Sequence, residues 1–93
     1  MYYLYILYSE SIDKYYVGET PDIDVRLSQH NHHHFKTNFT KAASDWKIVL
    51  KFECKNREEA LFLEKFIKKM KSRVFVQKVI SNQEILSDLL KKM

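Results

Sequence analysis

The sequence predicts an α/β fold, a small three-stranded antiparallel sheet with helices flanking both of its faces. Three observations carry that expectation. Two aromatic and β-branched runs lie close together near the N-terminus, Tyr2–Tyr8 and Tyr15–Val17. A third run of strand period follows in the middle of the chain, and amphipathic helical spacing dominates the rest. With 93 residues, 45% of them hydrophobic and 30% charged, the chain has enough apolar surface for one core, so a single domain over residues 1–93 is expected. Its one cysteine, Cys54, cannot form an internal bridge, which excludes a disulfide scaffold and a cysteine-rich zinc module and fits a reducing, cytoplasmic setting. The apolar start is too short for a spanning helix and lacks the basic lead-in of a signal peptide.

The first two runs read as a hairpin. Tyr2–Tyr8 (YYLYILY) has strand composition, Glu10–Asp13 is a polar break, and Tyr15-Tyr16-Val17 resumes the strand, which is expected to end at Gly18. Thr20 followed by Pro21 predicts an N-cap with proline at the first helical position, and Asp22 and Asp24 supply negative charge to the first turn. On that helix Ile23 and Leu27 share one face, while Arg26 and His30, also four apart, share another, about 6 Å apart along the axis. Residues 31–45 lack periodicity and read as an irregular connection. In Trp46–Glu53, the residues Trp46, Ile48, Leu50 and Phe52 alternate with Lys47, Val49, Lys51 and Glu53, which predicts a third strand with one buried face.

Asn56-Arg57-Glu58-Glu59 predicts a capped helix start, and Ala60, Leu63, Phe66, Ile67 and Met70 repeat at helical spacing to about Lys71. At about 100° per residue, Glu64 lies about 40° from Ala60 and about 60° from Ile67, beside the apolar arc and toward the sheet edge. Val74–Ile80 is β-branched enough for a strand and periodic enough for a helix, and periodicity leaves both open. Ser81 and Glu84 predict a capping box for a closing helix over about 82–92, with Ile85, Leu86, Leu89 and Leu90 as its apolar stripe.

The charge is one-sided. The chain carries +4 overall, with a net −2 in residues 1–46 and +6 in residues 47–93. Its densest cationic stretch holds Lys65, Lys68, Lys69, Lys71, Arg73 and Lys78, opposed locally by Glu64 alone, a pattern suited to a polyanion such as nucleic acid and also to a solvated helix face.

Tyrosines on adjacent strands, Arg26 and His30 on the next helix, and Glu64 at the edge of a later one together resemble the GIY-YIG endonuclease family. Tyr3-Leu4-Tyr5 stands at the family's first tripeptide and Tyr16-Val17-Gly18 at its second, followed by Glu19-Thr20 and the helical run from Asp24 to Asn31. Trp46–Glu53 is similar to its third strand, and Glu59–Lys68 to its glutamate-bearing helix. The resemblance spans about residues 2–80 and is nearest to the small single-domain members related to the UvrC and intron-endonuclease catalytic domains. Tyr3 stands where the first tripeptide has glycine, and Asn82 is the one candidate for the family's late asparagine.

The resemblance implies a DNA endonuclease. Tyr5 would act as general base on water, its phenol helped toward phenolate by Arg26 and a metal ion, with His30 accepting the proton onward. Tyr16 would orient water or phosphate, and the planar fork of Arg26 would bind two phosphate oxygens. Glu64, as the single protein carboxylate, suits Mg²⁺ (or Mn²⁺), which keeps most of its waters. Gly18 would let a phosphate approach the backbone. Taken one at a time, the same residues also read as a cross-strand tyrosine pair, a solvated arginine, a helix-end histidine and an ordinary Glu64–Lys68 pair. His32, His33 and His34 read as adventitious metal binders or DNA-backbone contacts. Two alternatives to the endonuclease are a nucleic-acid-binding module without turnover and a protein-interaction domain using the Leu86, Leu89 and Leu90 stripe.

Overall fold

Strand pairing sets the frame of the molecule. The computed structural model describes residues 1–32 and 42–93. Strand β1 (Tyr2–Ser9) runs antiparallel to β2 (Lys14–Thr20) and to β3 (Lys47–Cys54), giving the order β2-β1-β3 with β2 at an edge. Four helices complete the order β1-β2-α1-β3-α2-α3-α4: α1 (Ile23–Asn31), α2 (Arg57–Met70), α3 (Arg73–Ser81) and α4 (Glu84–Leu90). Alternation along β1 splits its side chains between two cores. Leu4 and Ile6, with Val17, Leu50 and Cys54, meet Ala60, Leu63 and Ile67 of α2 and the apolar faces of α3 and α4. Tyr5 and Leu7 point the other way, onto Ile23 and Leu27 of α1 and onto Trp46. The expected sheet with helices on both faces is therefore present.

Four local expectations are corrected. Strand β2 does not end at Gly18 but continues through it to Thr20, pairing Gly18 with Tyr5. Helix α1 starts two residues later than Thr20-Pro21 suggested. Its N-cap is Asp22, whose carboxylate accepts from the Val25 amide, while Thr20 is the last residue of β2 and its hydroxyl bonds the Asp22 backbone. Strand β3 does not bury one face. Ile6 pairs with Leu50 and Leu7 with Ile48, so Val49 is an extra residue, and this bulge turns Ile48 toward α1 while Val49, Leu50 and Phe52 face α2. Finally, α4 is not capped by Ser81. Ser81 closes α3, and Asn82 accepts from the Glu84 amide instead.

Residues 74–80, open between strand and helix, lie in α3. Ser72 caps it by accepting from the Phe75 amide, and Val76 and Val79 are buried against the α2 layer. The β-branched side chains lower helix propensity only slightly, and burying one face outweighs that. The Leu86–Leu89–Leu90 stripe belongs to the same core: Leu86 and Leu89 are buried and Leu90 packs beside them, so the surface that a protein-interaction domain would use is covered by the chain itself. Cys54 is buried at the end of β3, and burial raises its thiol above the ordinary range, leaving a poor nucleophile. His33 and His34 lie outside the described residues. His32, exposed just past α1, directs its Nδ1 to the Ser28 carbonyl at 2.8 Å.

Candidate active site

The site forms where β1, β2, α1 and α2 meet at the β2 edge. Opposite Tyr5 in the register stands Gly18, and a Cβ there would sit 2.6 Å from the Tyr5 hydroxyl and 2.7 Å from its ring carbon Cζ. Gly18 thus makes room for a tyrosine ring lying across β2. Placed this way, the Tyr5 hydroxyl reaches His30 Nε2 at 2.9 Å. Tyr5 is 2% and His30 0% exposed. Tyr16, two residues before Gly18 on the same face of β2, brings its ring 6.3 Å from that of Tyr5 and 4.7 Å from His30.

His30 owes its position to both ends of α1. Ile23 and Leu27 seat the helix on the sheet, and the four-residue spacing turns Arg26 and His30 toward the tyrosines. Next to His30, Asn31 donates through Nδ2 to the Trp46 carbonyl at 3.0 Å and accepts from the Trp46 amide at 2.8 Å. A side-chain amide here mimics a strand partner and ties the end of α1 to the start of β3. Sequence reasoning had no signal for Asn31 beyond its presence in the run.

From the opposite side, α2 lays its C-terminal half along the β2 edge. Lys68 Nζ stands 2.9 Å from Glu64 Oε2 and 5.4 Å from the centre of the Tyr16 ring. Lys68 therefore links Glu64 to the Tyr16 ring around the sheet edge. Glu19, in phase with Tyr15 and Val17, points into the α2 side. Its side chain is 14% exposed, with Oε1 3.5 Å from Arg57 Nε. The other oxygen, Oε2, is buried with no hydrogen-bond partner among the described residues. The readable signal was an acid at an inward strand position, since a buried carboxylate oxygen lacking a partner is costly.

Electrostatics define the resting protonation states. Burial raises the Tyr5 hydroxyl well above the usual phenol range, Tyr16 adds to the rise, Arg26 opposes it, and Glu64 and Glu19 add smaller rises. Burial outweighs the push of Arg26 alone toward phenolate, so Tyr5 rests as a neutral phenol. His30 is lowered to about 4 by burial and then by Arg26. It is neutral at pH 7 and shares its Nε2 hydrogen bond with the Tyr5 hydroxyl. Of the expected set, Tyr5, Tyr16 and His30 meet directly, Glu64 is linked to the Tyr16 ring through Lys68, and Arg26, Glu64 and Glu19 act on the Tyr5 phenol through their charges, which makes a convergence of charge on one phenol.

That convergence fits the comparison with known families: the GIY-YIG catalytic domain matches residues 1–78. The chain belongs to the GIY-YIG family. Members of this family are nucleases that act on DNA and generally use divalent metals. No match was found among the curated proteins or among the solved structures. In the GIY-YIG frame, Asn82 stands apart from the site. It is exposed at the end of α3, on a surface shared with Val74, Gln77 and Ile85, and its side-chain oxygen accepts from the Glu84 amide at the start of α4. Of the basic residues, Lys68 borders the site directly. Lys71 and Arg73 line a neighbouring cavity, and Lys65 and Lys69 are exposed on α2.

The donors present suit a hard divalent ion. No group of three or more His, Cys, Asp or Glu side chains able to hold a metal occurs among the described residues. Mg²⁺ needs only one or two carboxylates beside water and substrate phosphate. Glu64 and the unpartnered oxygen of Glu19 are of that kind. Among the described residues no helix is long and apolar enough to cross a membrane.

Proposed function

We propose that this protein is a divalent-metal-dependent DNA endonuclease that hydrolyses phosphodiester bonds by a tyrosine–histidine proton relay. The observation that carries the reading is the buried Tyr5–His30 hydrogen bond of 2.9 Å, between a phenol that keeps its proton and a neutral imidazole. A phenol so placed need not ionise first. As water attacks phosphorus, its proton passes to the Tyr5 oxygen while the Tyr5 proton passes to His30 Nε2. The phenol stays neutral and the charge ends on imidazolium. Tyr16, beside both rings, orients the water, and Arg26 supplies a planar cation to the phosphoryl oxygens.

Glu64, with Glu19 behind it, would hold the divalent ion, and Lys68 would move from Glu64 to a DNA phosphate when the ion enters. Bound Mg²⁺ would supply positive charge for the phosphoryl and leaving oxygens. Lys65, Lys69, Lys71 and Arg73 extend the positive surface along which DNA would lie. The whole chain would act as one domain. In the test, purified protein is incubated with linear, nicked and branched DNA in Mg²⁺, in Mn²⁺ and in EDTA. Cleavage is expected with metal and lost in EDTA, in Tyr5→Phe and in Glu64→Ala. Cleavage that survives Tyr5→Phe at full rate would refute the relay.

A second reading, a DNA-binding module without turnover, draws support from one observation: Asn82, the single candidate for the family's late asparagine, is exposed at the end of α3 with its Oδ1 accepting from the Glu84 amide, away from the tyrosines. Steeply salt-dependent binding with no cleavage of any substrate would select it.

A further inference from the structure

Beside the site, on the α2 side of β2, the structure holds a cavity of about 330 Å³. Its floor is apolar, built from Val17, Ile67 and Val76, and its rim is cationic, carrying Lys14, Lys68 and Lys71. At one wall the Arg73 guanidinium lies over the Tyr15 ring, 5.1 Å from its centre. Lys68 is common to this cavity and to the Glu64–Tyr16 edge of the site. We propose that the cavity receives one unpaired, extruded nucleotide of the DNA strand being cut, its base on the apolar floor against Arg73 and its phosphates on Lys14 and Lys71. This inference rests on the nuclease reading and narrows its substrate to DNA with an unpaired nucleotide at the cleavage point.

Three features favour a nucleotide over a phosphate alone. A phosphate has no use for an apolar floor, whereas a base has two apolar faces, and the volume is at the lower end of small-molecule sites. The arginine stacked on an aromatic ring is a platform on which bases stack. It is also fixed in place: Arg73 Nη1 donates to the Asp13 carbonyl at 2.9 Å and Nη2 to the Asp13 carboxylate, which in turn accepts from the Tyr8 hydroxyl. The third feature is Lys71. It adopts φ 48°, in the left-handed region, where glycine would be free of strain. A lysine held there at a backbone cost places its ammonium on the cavity rim. An already unpaired base enters without the unstacking cost that a duplex base would carry.

The test uses labelled DNA duplexes of equal length, with anisotropy read in EDTA so that no cleavage intervenes. One duplex is fully paired, one carries a single unpaired nucleotide, and one carries an abasic analogue in that place. The unpaired nucleotide is expected to bind about tenfold tighter than either other duplex, the size of one stacking contact. Equal binding of the nucleotide and abasic duplexes by the wild-type protein overturns the proposal. Lys14→Glu with Lys71→Glu is expected to weaken all three at least tenfold. Arg73→Ala, which breaks only exposed contacts and so leaves the fold intact, is expected to bring the nucleotide and abasic duplexes within about twofold. If Arg73→Ala keeps the full preference, this cavity is not where the base goes. Cleavage assays in Mg²⁺ separate the two readings: base preference without cleavage of any DNA sinks the nuclease and leaves the cavity, while cleavage indifferent to the unpaired base sinks the cavity alone.

Discussion

Replacing Gly18 with alanine is the sharpest probe of how the tyrosine is held. The added Cβ would lie 2.6 Å from the Tyr5 hydroxyl and 2.7 Å from Cζ, against about 3.4 Å or more for ordinary contact between such atoms. The ring must therefore retreat by somewhat less than 1 Å. It has little room, since Tyr5 is 2% exposed and packed among Leu7, Ile23 and Trp46. Overpacking of this kind costs about 1–3 kcal/mol. For a domain of this size that corresponds to a fall in Tm of roughly 4–20 °C. The retreat also stretches the 2.9 Å bond to His30, and a displacement near 1 Å at a reacting group costs about 100-fold in rate. Thermal melting followed by circular dichroism and a plasmid-nicking assay measure the two effects. Tyr5→Phe removes the hydroxyl contact but not the one to Cζ, so Gly18→Ala made in that background should still destabilise. A Gly18→Ala protein with wild-type Tm and wild-type nicking would refute the account of Gly18 as the space for Tyr5.

Four further outcomes are expected. His30 is lowered to about 4 in the folded protein and has a reference value of about 6.5 unfolded, so the unfolded chain binds the extra proton between these values. Stability is then complete above about pH 6.5 and declines as the pH falls toward 4, by up to about 3 kcal/mol; urea titrations at pH 7 and 4.5 should show the difference, and His30→Phe should flatten it. Asn31→Ala removes both bonds to the Trp46 backbone and should cost about 1–3 kcal/mol, lowering the urea midpoint and the nicking rate together. Lys71→Gly relieves the left-handed backbone and should raise Tm by roughly 4–8 °C for about 1 kcal/mol gained, while DNA affinity by anisotropy falls. Glu19→Gln removes the charge of the carboxylate whose Oε2 has no hydrogen-bond partner among the described residues; it should leave Tm unchanged or higher and raise the Mg²⁺ concentration needed for half-maximal nicking.

Much of the site could be read from the residue order. The two tyrosine-bearing strands, the four-residue spacing of Arg26 and His30, and Glu64 beside the apolar arc of α2 are local patterns, and local periodicity determines which face a side chain occupies. Other features depended on contacts between segments distant in the chain. Gly18 looked like a strand end because its partner, Tyr5, lies thirteen positions earlier, and only the register reveals the ring crossing it. Proximity of Arg26 to Tyr5 was legible, while the depth of burial that raises the Tyr5 hydroxyl was not. Alternation in β3 suggested one buried face, and the bulge at Val49 gave it two.

By itself the sequence determined the class of fold, the strand and helix periods and the identity of the polar residues that meet, because these follow from spacing along one chain. Tertiary structure alone decided that residues 74–80 are helical, that the leucine stripe of α4 is consumed by the core, that Asn31 ties the end of α1 beside His30 to β3, and that one oxygen of Glu19 is buried with no hydrogen-bond partner among the described residues. The physical reason is common to all four. Each depends on what another segment places against the residue, and burial and hydrogen-bond partners are properties of that packing.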